Sequence, residues 1–325
     1  MFGNNKVRTG IDLGSMSVKL VRSVGGKRIK RITHIGVENW NSTDSGDSVV
    51  RAAAALRRLL QRLGLRRNQL GHIAVGLGGS HTSFREITLP RLAEDELQRA
   101  LPYEARKHLN LEDTTPSVLA SQILGPAPSS TEDDGEQMWV LLAAVPETRR
   151  DFPLQVLSQV GLEPEVIDPE FLAGLNEVLA HEPLTGDGDS VRALLDLGSD
   201  STELHVTAGR GSLMSRTVGP GAPPLGEYEA VTPYVEQLTP RIRETLTFYR
   251  GRHRREIEKL YLAGGGALLP EIVGQLHCAL DLPVTSLDPL GSLADKARGR
   301  EVAMTNGARF VTACGLCRWW DVTHV

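Results

Sequence analysis

The chain has 325 residues, 40% of them hydrophobic and 23% charged, with a formal net charge of −4, so it can bury a sizeable core and favours two domains over one. The interspersed charges exclude the strong positive field of a nucleic-acid-binding protein, and three cysteines give no disulfide framework. No apolar run approaches the roughly 20 residues of a membrane-spanning helix, and the N terminus lacks the hydrophobic region of a signal peptide, so we expect a cytoplasmic protein.

The opening part of the chain predicts strands followed by a helix. A strand, a tight turn and two further strands come first, and Gly25 and Gly26 are expected to supply the positive φ angles of a short hairpin. Helical spacing over 48–63 ends at Gly64, which is typical of a C-terminal cap. A short apolar strand follows at 72–77.

Residues 80–145 interrupt this pattern and predict a small α/β subdomain inserted into the first lobe. Its polar stretch at 126–135 is expected to be a flexible loop. The predicted elements of the insertion are a strand at 83–89, a charged helix at 93–109, and strands at 117–124 and 138–144.

After the insertion the chain returns to alternating helices and strands, which indicates α/β layers. A loop at 184–190 is the natural boundary between two lobes. Cys314 and Cys317 lie in an apolar helical segment without two further ligands, which favours buried residues over a zinc site. The predicted helices cover 154–160, 169–180, 234–249, a segment from about Pro270 and a closing helix at 302–319, and the predicted strands cover 165–167 and 260–263.

The most informative feature is an internal repeat. Each copy is an apolar strand that ends at an aspartate, followed by a Gly-Ser turn and a second strand. Two copies so far apart indicate two similar domains, because the repeats of a solenoid are much shorter. The residues that recur at a constant offset of 184 are Asp12, Gly14, Ser15 and Ser17, matched by Asp196, Gly198, Ser199 and Ser201.

The repeated turn has a chemical use. Its backbone N–H groups and hydroxyls point to one spot, which makes an anion nest, and an aspartate at the strand end can hold a hydrated Mg²⁺ beside a phosphate. Lys19 can reach a phosphate as a point charge. The alternative is that each copy is only a glycine-containing hairpin, and the presence of two copies favours a shared nest.

A third element, the three glycines at 264–266, lies between a strand and a helix. Backbone without side chains allows close approach of an α-phosphate or ribose. The three elements together predict a nucleotide site, with Asp12 and Asp196 holding Mg²⁺ through water. Its candidate residues are Asp12, Gly14, Ser15, Ser17, Lys19, Asp196, Gly198, Ser199, Ser201, Thr202, Gly264, Gly265 and Gly266.

These elements, in this order, resemble the actin, chaperone-ATPase and sugar-kinase superfamily, and within it the PilM family of type IV pilus assembly. Residues 10–21 (GIDLGSMSVKLV) resemble the phosphate-binding turn of that family. Similarities to its insertion and to other family segments lie at 85–90, 94–105, 160–168 and 241–249. The resemblance implies an α/β actin-like (ribonuclease H-like) fold with two lobes. Lobe 1 would take 1–79, 146–188 and 302–325, the insertion 80–145, and lobe 2 189–301.

The resemblance further implies a cytoplasmic scaffold, peripheral to the inner membrane, that binds the N-terminal tail of a PilN-like membrane protein. A short, partly apolar peptide would lie along a strand edge or in a groove of the insertion and lobe 1. Self-association and contacts with other pilus assembly proteins are further expectations. The candidate partner-binding residues are Ser83, Arg85, Ile87, Leu97, Leu101 and Tyr103, and for each of them a place in the subdomain core is an equal alternative.

Two alternatives stay open. An active ATPase or small-molecule kinase of the same fold needs a general base in the cleft, and no motif assigns that role. A GspL-like component of type II secretion normally continues into a transmembrane helix, which this sequence is not expected to have. The related division protein FtsA ends in an amphipathic membrane helix, and the end of this sequence is expected to be too short for one. Residues 219–226 lead almost directly into the helix at 234–249. Lobe 2 is therefore expected to have a reduced outer subdomain and to bind ATP and Mg²⁺ weakly.

Overall fold

The computed structural model describes residues 6–26, 28–40, 47–78, 82–109, 111, 116–128, 135–182, 191–208, 213–303 and 307–319. The predicted boundary loop at 184–190 and most of the predicted loop at 126–135 lie outside these residues. No helix in the described part of the chain is long and apolar enough to cross a membrane.

Lobe 1 is built on a five-stranded sheet with the strand order β3-β2-β1-β4-β8. The first three strands are antiparallel, and β4 and β8 run parallel to β1. Helices pack on both faces of the sheet, so its strands need apolar side chains on both faces. The strands are β1 (Lys6–Leu13), β2 (Ser17–Gly25), β3 (Ile29–Asn39), β4 (His72–Leu77) and β8 (Val166–Pro169).

Helices cover both faces of this sheet. On one face, α1 and α3 bury an aliphatic cluster that includes Ile11, Leu56 and Val156. On the other face, α4 and α8 pack against one another and against the strands, and both buried cysteines, Cys314 and Cys317, lie there. The helices are α1 (Ser48–Leu63), α3 (Glu147–Gln159), α4 (Glu170–His181) and α8 (Val311–Arg318). Gly64 caps α1 in the left-handed conformation, as predicted.

Lobe 2 repeats the same topology. Its sheet has the strand order β11-β10-β9-β12-β13, with antiparallel pairing in the first three strands and parallel pairing in the last two. Helices α5 and α6 cover one face, and α4 lies against the other face, between the two sheets. The elements are β9 (Val191–Leu197), β10 (Ser201–Thr207), β11 (Met214–Pro220), α5 (Val231–His253), β12 (Ile257–Ala263), α6 (Ile272–Leu280) and β13 (Val284–Ser286). Two such sheets facing one another confirm the predicted actin-like fold.

The insertion is a three-stranded antiparallel sheet with the order β5-β7-β6, and one helix packs on one of its faces. Its elements are β5 (Ser83–Pro90), α2 (Glu94–His108), β6 (Ser117–Ala127) and β7 (Gln137–Pro146). Ile87, Leu97 and Leu101, predicted as partner-binding residues, are buried in this core. Their alternation on the strand and helical spacing match a core face, so these side chains do not reach a surface. Arg85 and Tyr103 are exposed.

Two local predictions differ from the structure. Gly25 and Gly26 do not have positive φ angles; glycine is required at position 25 because a Cβ there would overlap the carbonyl oxygen of Arg28. The predicted closing helix at 302–319 is divided. Its described parts are α7 (Arg300–Ala303), a 3-10 helix (Gly307–Phe310) and α8, which begins only at Val311.

The segment before α7 packs with lobe 1, although the predicted boundary lies at 301/302. Leu290, Ala294 and Ala297 join the core beneath β3. The backbone N–H of Ile35 donates to the carbonyl of Arg298 at 3.0 Å, which extends the hydrogen-bonding edge of β3. The chain therefore crosses from lobe 2 to lobe 1 soon after β13.

Candidate functional site

A cavity of about 770 Å³ lies between the two lobes and extends beneath the insertion. Most of the predicted nucleotide-site residues line it: Asp12, Gly14, Ser15, Ser17, Lys19, Asp196, Gly198, Ser199, Ser201, Gly264 and Gly265. The two others do not. The Thr202 hydroxyl donates to the carbonyl of Pro220 at 2.6 Å inside the lobe 2 core, and a Cβ at Gly266 would lie 2.5 Å from the Cβ of Ala222. At both positions the residue type is explained by packing.

The two repeated turns meet at the centre of the cavity. The hydroxyl oxygens of Ser15 and Ser199 lie 2.6 Å apart and share a hydrogen bond. Each turn joins two antiparallel strands, β1 to β2 in lobe 1 and β9 to β10 in lobe 2. The two pairs have the same register, because Asp12 lies opposite Lys19 and Asp196 lies opposite Glu203. The duplicated topology therefore brings together residues that are far apart in the sequence.

Lys19 forms an ion pair with Asp12, with Nζ 2.8 Å from the carboxylate oxygen. Burial lowers the pKa of Lys19, but the attraction of Asp12, assisted by Glu170 and Asp196, outweighs burial and raises it above its ordinary value. Trp40 supports this turn from outside, because its indole N–H donates to the carbonyl of Gly14 at 3.0 Å. A charged lysine is thus held at the phosphate-type turn of lobe 1.

Buried carboxyl groups surround this lysine. Burial, with repulsion from Asp12, raises the pKa of Asp196 to about 7, and burial also raises the pKa of Glu203. Glu170 has a pKa well above its ordinary value, because it is buried and faces Asp12 and Asp196. This excess of acidic groups favours a bound cation or retained protons. No group of three or more His, Cys, Asp or Glu side chains in the described ranges could hold a metal ion without further ligands.

Sequence reasoning missed Glu170, which is the first residue of α4. Its carboxyl group occupies space left by two glycines at the end of β4, because a Cβ at Gly76 or Gly78 would overlap it. The paired glycines and the helix start after Pro169 were the available signals. These two signals do not form a contiguous motif, because the insertion and α3 separate the end of β4 from the start of α4 in the sequence.

The glycine-rich element forms the third wall. Gly264 has a φ of +84°, and a Cβ there would overlap the Asp196 carboxylate. Gly265 has no atom within 4 Å of an added Cβ, so the backbone is open to the cavity at that point. A ligand can therefore approach the main chain closely at Gly265.

An aromatic bridge links the insertion to both lobes. The ring of Phe84 in β5 stacks on Phe171 in α4 at 4.0 Å, and Phe171 lies 5.8 Å from His205 in β10. His205 shares a hydrogen bond with the Ser215 hydroxyl at 2.7 Å, and burial lowers its pKa to about 3, so the ring is neutral. The insertion also touches lobe 2 where the backbone N–H of Leu213 donates to Glu86 at 2.9 Å.

The lobe 1 side of the cavity is a groove lined by residues of lobe 1, and the insertion contributes Thr82 and Phe84 to the lining of the same cavity. Trp40 and Phe152 form its aromatic floor, with ring centroids 6.4 Å apart, and the Arg51 guanidinium lies 5.7 Å from the Trp40 ring. The first turns of α1 and α3 supply its polar wall. The residues of this groove, which we call the insertion groove, are Trp40, Ser48, Arg51, Thr148, Arg149 and Phe152. None of them was predicted as a binding residue, because they are spread over three elements.

Comparison with known proteins gives one family. The sequence profile of type IV pilus assembly protein PilM matches residues 10–225 and 221–318. The solved structure of a PilM–PilN type IV pilus biogenesis complex superposes with a TM-score of 0.76 at 22% identity, covering 97% of this chain and 98% of the other. A diol dehydratase-reactivating factor in nucleotide-free form matches with a TM-score of 0.51 at 10% identity, covering 97% and 100%. No curated protein sequence matches the chain.

A weaker fold likeness involves secretion. The cytoplasmic domain of EpsL, an inner-membrane component of the type II secretion system of Vibrio cholerae, gives a TM-score of 0.46 at 12% identity, covering 79% of this chain and 81% of the other. At these identities the likenesses concern the fold, and the PilM–PilN match confirms the two-lobed architecture with its insertion.

Proposed function

Because the chain belongs to the type IV pilus assembly protein PilM family, we propose that it is a cytoplasmic scaffold of a type IV pilus or a related inner-membrane assembly platform. Its partner is the N-terminal segment of a PilN-like membrane protein, which would hold the scaffold at the inner membrane. The solved relative of similar fold is in a complex with PilN. The observation that carries the partner proposal is the insertion groove, where Trp40 and Phe152, at the edge of the lobe 1 core, line a cavity together with the arginines Arg51 and Arg149.

The chemistry of the insertion groove suits an extended peptide. Apolar side chains of the peptide would pack on Trp40 and Phe152, and the guanidinium groups of Arg51 and Arg149 would donate to its backbone carbonyls or carboxylates. Aromatic and arginine side chains provide most of the binding energy in many interfaces. Ser83, Arg85 and Tyr103 stay predictions for the outer part of the same interface.

The test is titration of a PilN-type N-terminal peptide into the whole chain. Phe152→Ala and Arg149→Ala should each weaken binding by roughly 10-fold or more, a typical loss for an interface anchor. Arg150→Ala is the matched control, because Arg150 is the next residue on α3 but pairs with Asp151 and does not line the groove. Equal affinity in Phe152→Ala, Arg149→Ala and the control would overturn the groove as the binding site.

The interlobe part of the cavity fits ATP with Mg²⁺. The whole cavity, with the insertion groove included, has a volume of about 770 Å³, which is within the range of small-ligand pockets, and the open backbone at Gly265 leaves room for phosphate or ribose. Mg²⁺ binds through few carboxylates and keeps its waters, which suits the buried, charge-repelled Asp12 and Asp196. When bound, the cation would neutralise these carboxylates beside the phosphates. Because 221–230 connect β11 to α5 with only one 3-10 helix, we infer weak nucleoside contacts.

A thermal-shift series tests the nucleotide site. Mg²⁺ with ATP should raise the melting temperature by mass action, and Asp12→Ala or Asp196→Ala should each abolish the rise relative to its own baseline. Asp295→Ala is the control, because Asp295 is exposed and does not line the cavity. An undiminished shift in both cleft variants would remove nucleotide binding from the proposal and leave the scaffold role intact.

Glu170 favours a weak ATPase as the second candidate function. It is a buried carboxyl group in electrostatic contact with both candidate Mg²⁺ carriers, and it lines the cavity where a water could be activated. Glu170→Gln should eliminate phosphate release while ATP still raises the melting temperature. Hydrolysis that persists in Glu170→Gln would exclude this residue as the base.

A further inference from the structure

Arg309 stands at the junction of the two lobes. It belongs to the 3-10 helix Gly307–Phe310, whose carbonyl at Ala308 accepts a 3.0 Å hydrogen bond from the backbone N–H of Gly264 in the glycine-rich element. On the other side, Phe310 is fully buried in the lobe 1 core. The backbone of this short helix is therefore fixed by both lobes, and the Arg309 side chain lines the interlobe cavity.

The Arg309 guanidinium has no ion-pair partner among the described residues, and its buried Nε has no hydrogen-bond acceptor there. Burial lowers the pKa of Arg309, and Asp12 compensates only in part. Two other cations of lobe 1 with little exposed surface are paired. Lys19 lies 2.8 Å from Asp12, and Arg318 forms a two-point contact with Glu177 at 2.5 and 3.0 Å.

A buried N–H without a hydrogen-bond acceptor, such as Nε of the half-buried Arg309, is costly to the fold, and a guanidinium is shaped to bind two oxygens of a carboxylate or phosphate at once. The neighbouring carboxylate of Asp12 is already committed to Lys19. Because Arg309 lines the cavity, a ligand bound there can supply the missing acceptor. The cavity opens to the backbone at Gly265, so a polyanion reaching between the two repeated turns would pass this guanidinium.

We propose that Arg309 binds phosphate oxygens of a nucleotide di- or triphosphate in the cleft and is a specificity-determining residue for the phosphate chain. This inference rests on the proposed nucleotide site and adds to it the group that distinguishes a phosphorylated ligand from a nucleoside. Lys19 and the two turns alone would offer one cation for several phosphate charges. With Arg309 the cleft has a second cation, supplied from the side of the glycine-rich element.

The experiment compares Arg309→Gln with wild type by calorimetric titration of ATP, ADP, pyrophosphate and adenosine, each with Mg²⁺. The dissociation constants of ATP, ADP and pyrophosphate should rise ~10- to 100-fold, as expected for loss of a charge-assisted hydrogen bond. Adenosine binding should stay unchanged. Arg300→Gln is the matched control, since Arg300 is exposed, lies in the adjacent α7, and its guanidinium donates to the backbone carbonyl of Asp295.

A second readout separates ligand binding from a structural role. Removing an unpaired buried cation should keep or raise the melting temperature of the unliganded protein, whereas removing a structural arginine should lower it. Arg309→Lys should bind the phosphorylated ligands with intermediate affinity, because it keeps the charge and loses the planar donor pair.

Three results would overturn the inference. Unchanged ATP and pyrophosphate affinity in Arg309→Gln, with normal wild-type binding, would refute Arg309 alone. A lowered melting temperature with unchanged ligand affinity would assign Arg309 to the fold. A wild-type chain that binds neither ATP nor pyrophosphate would refute both this inference and the proposed nucleotide site, while the peptide titration would still test the scaffold role.

Discussion

The hydroxyl groups of Ser15 and Ser199 share a hydrogen bond of 2.6 Å, and the two residues are equivalent positions of the internal repeat, 184 residues apart. Each hydroxyl is the group that its turn would offer to a phosphate. In this arrangement one hydroxyl donates to the other, so the two turns are in direct contact at this point. A phosphate that enters has to replace this bond with one contact from each serine, which requires the two turns to separate.

A double-mutant cycle on Ser15→Ala and Ser199→Ala should show this exchange. Without ligand, each single variant should lower the free energy of unfolding by about 0.5–1 kcal/mol, and the double variant should lose less than the sum, because one bond is removed twice. With saturating Mg²⁺ and ATP the coupling should vanish, since each hydroxyl then binds phosphate independently. Chemical unfolding measures both cases. A coupling that ATP leaves unchanged would mean that the serines stay bonded to each other and that phosphate binds elsewhere.

Asp168 predicts a pH dependence of stability. This carboxyl group in β8 is 6% exposed, its Oδ2 has no hydrogen-bond partner in the described structure, and burial raises its pKa to about 7. Between the ordinary pKa of an aspartate and pH 7, the folded state binds the proton more tightly than the unfolded state. The contribution of Asp168 to stability is therefore present at low pH and is lost as the pH rises towards about 7.

Asp168→Asn removes this ionisation. The variant should be more stable than wild type by about 1–3 kcal/mol at pH 8, the cost of a buried group left unsatisfied, and the difference should shrink towards pH 4. Chemical unfolding across this range measures it, with Asp151→Asn as a control because Asp151 is paired with Arg150 near the surface. A difference that does not depend on pH would show that the pKa of Asp168 is the same in the folded and unfolded states, so that burial does not raise it.

Shortening the connection between β6 and β7 should leave the fold intact. The register pairs Ala127 with Gln137, so the predicted loop at 126–135 begins within β6, and only 129–134 lie between the described residues. Removal of 129–134 leaves a short hairpin loop, and loop length changes closure entropy slowly. The melting temperature should change by less than about 2 °C, corresponding to roughly 1 kcal/mol for a chain of this length. A larger loss would mean that the removed residues pack on the insertion.

Much of the fold followed from local patterns. The repeat predicted two sheets of equal topology, and the helix at 48–63, its glycine cap and the strand at 72–77 follow from side-chain periodicity and backbone conformation, which act over a few residues. The three-stranded insertion was predicted for the same reason. Local patterns do not state which face of an element meets a partner. Ile87, Leu97 and Leu101 therefore looked like a partner surface as well as a core.

Local sequence patterns likewise predicted only part of the nucleotide cleft. The repeated turns could be predicted because each is a contiguous motif. Glu170 and Arg309 could not, because each reaches the cleft through tertiary packing: Glu170 beside two glycines of another element, Arg309 through a 3-10 helix bonded to Gly264. Thr202 and Gly266 were included by proximity in sequence to motif residues. Period-2 alternation of strand β10 turns Thr202 away from the cleft and towards the core.

The aromatic bridge gives the insertion a route to the nucleotide cleft. Phe84 contacts Phe171, the neighbour of Glu170 in α4, and Phe171 contacts His205 of lobe 2. Phe84 also lines the same cavity as the residues of the insertion groove. Removal of the whole insertion at 80–145 would uncover Phe171, so a point substitution is the better probe of communication between groove and cleft.

Phe84→Leu should therefore reduce the linkage between peptide and nucleotide more than it reduces either affinity. Leucine keeps an apolar contact with Phe171 but loses ring stacking, at a cost of about 0.5–1.5 kcal/mol in stability. In wild type, Mg²⁺ with ATP should change the affinity for a PilN-type peptide, and the peptide should change the affinity for ATP by the same factor, because linkage is reciprocal. A coupling of roughly 1–3 kcal/mol is typical.

In Phe84→Leu this factor should approach one, measured by peptide titration with and without saturating ATP. Tyr103→Ala is the control, because Tyr103 is 69% exposed on α2 and is not a residue of the aromatic bridge. This variant should leave the melting temperature unchanged. It should also leave unchanged the factor by which ATP alters peptide affinity, whatever it does to peptide affinity itself. Asp12→Ala, which lies in the cleft and not in the groove, should alter peptide binding only through the same route. If wild type shows linkage and Phe84→Leu retains all of it, communication between groove and cleft does not pass through the aromatic bridge. Among the contacts described above, the hydrogen bond from Leu213 to Glu86 would then be the remaining connection of the insertion to lobe 2.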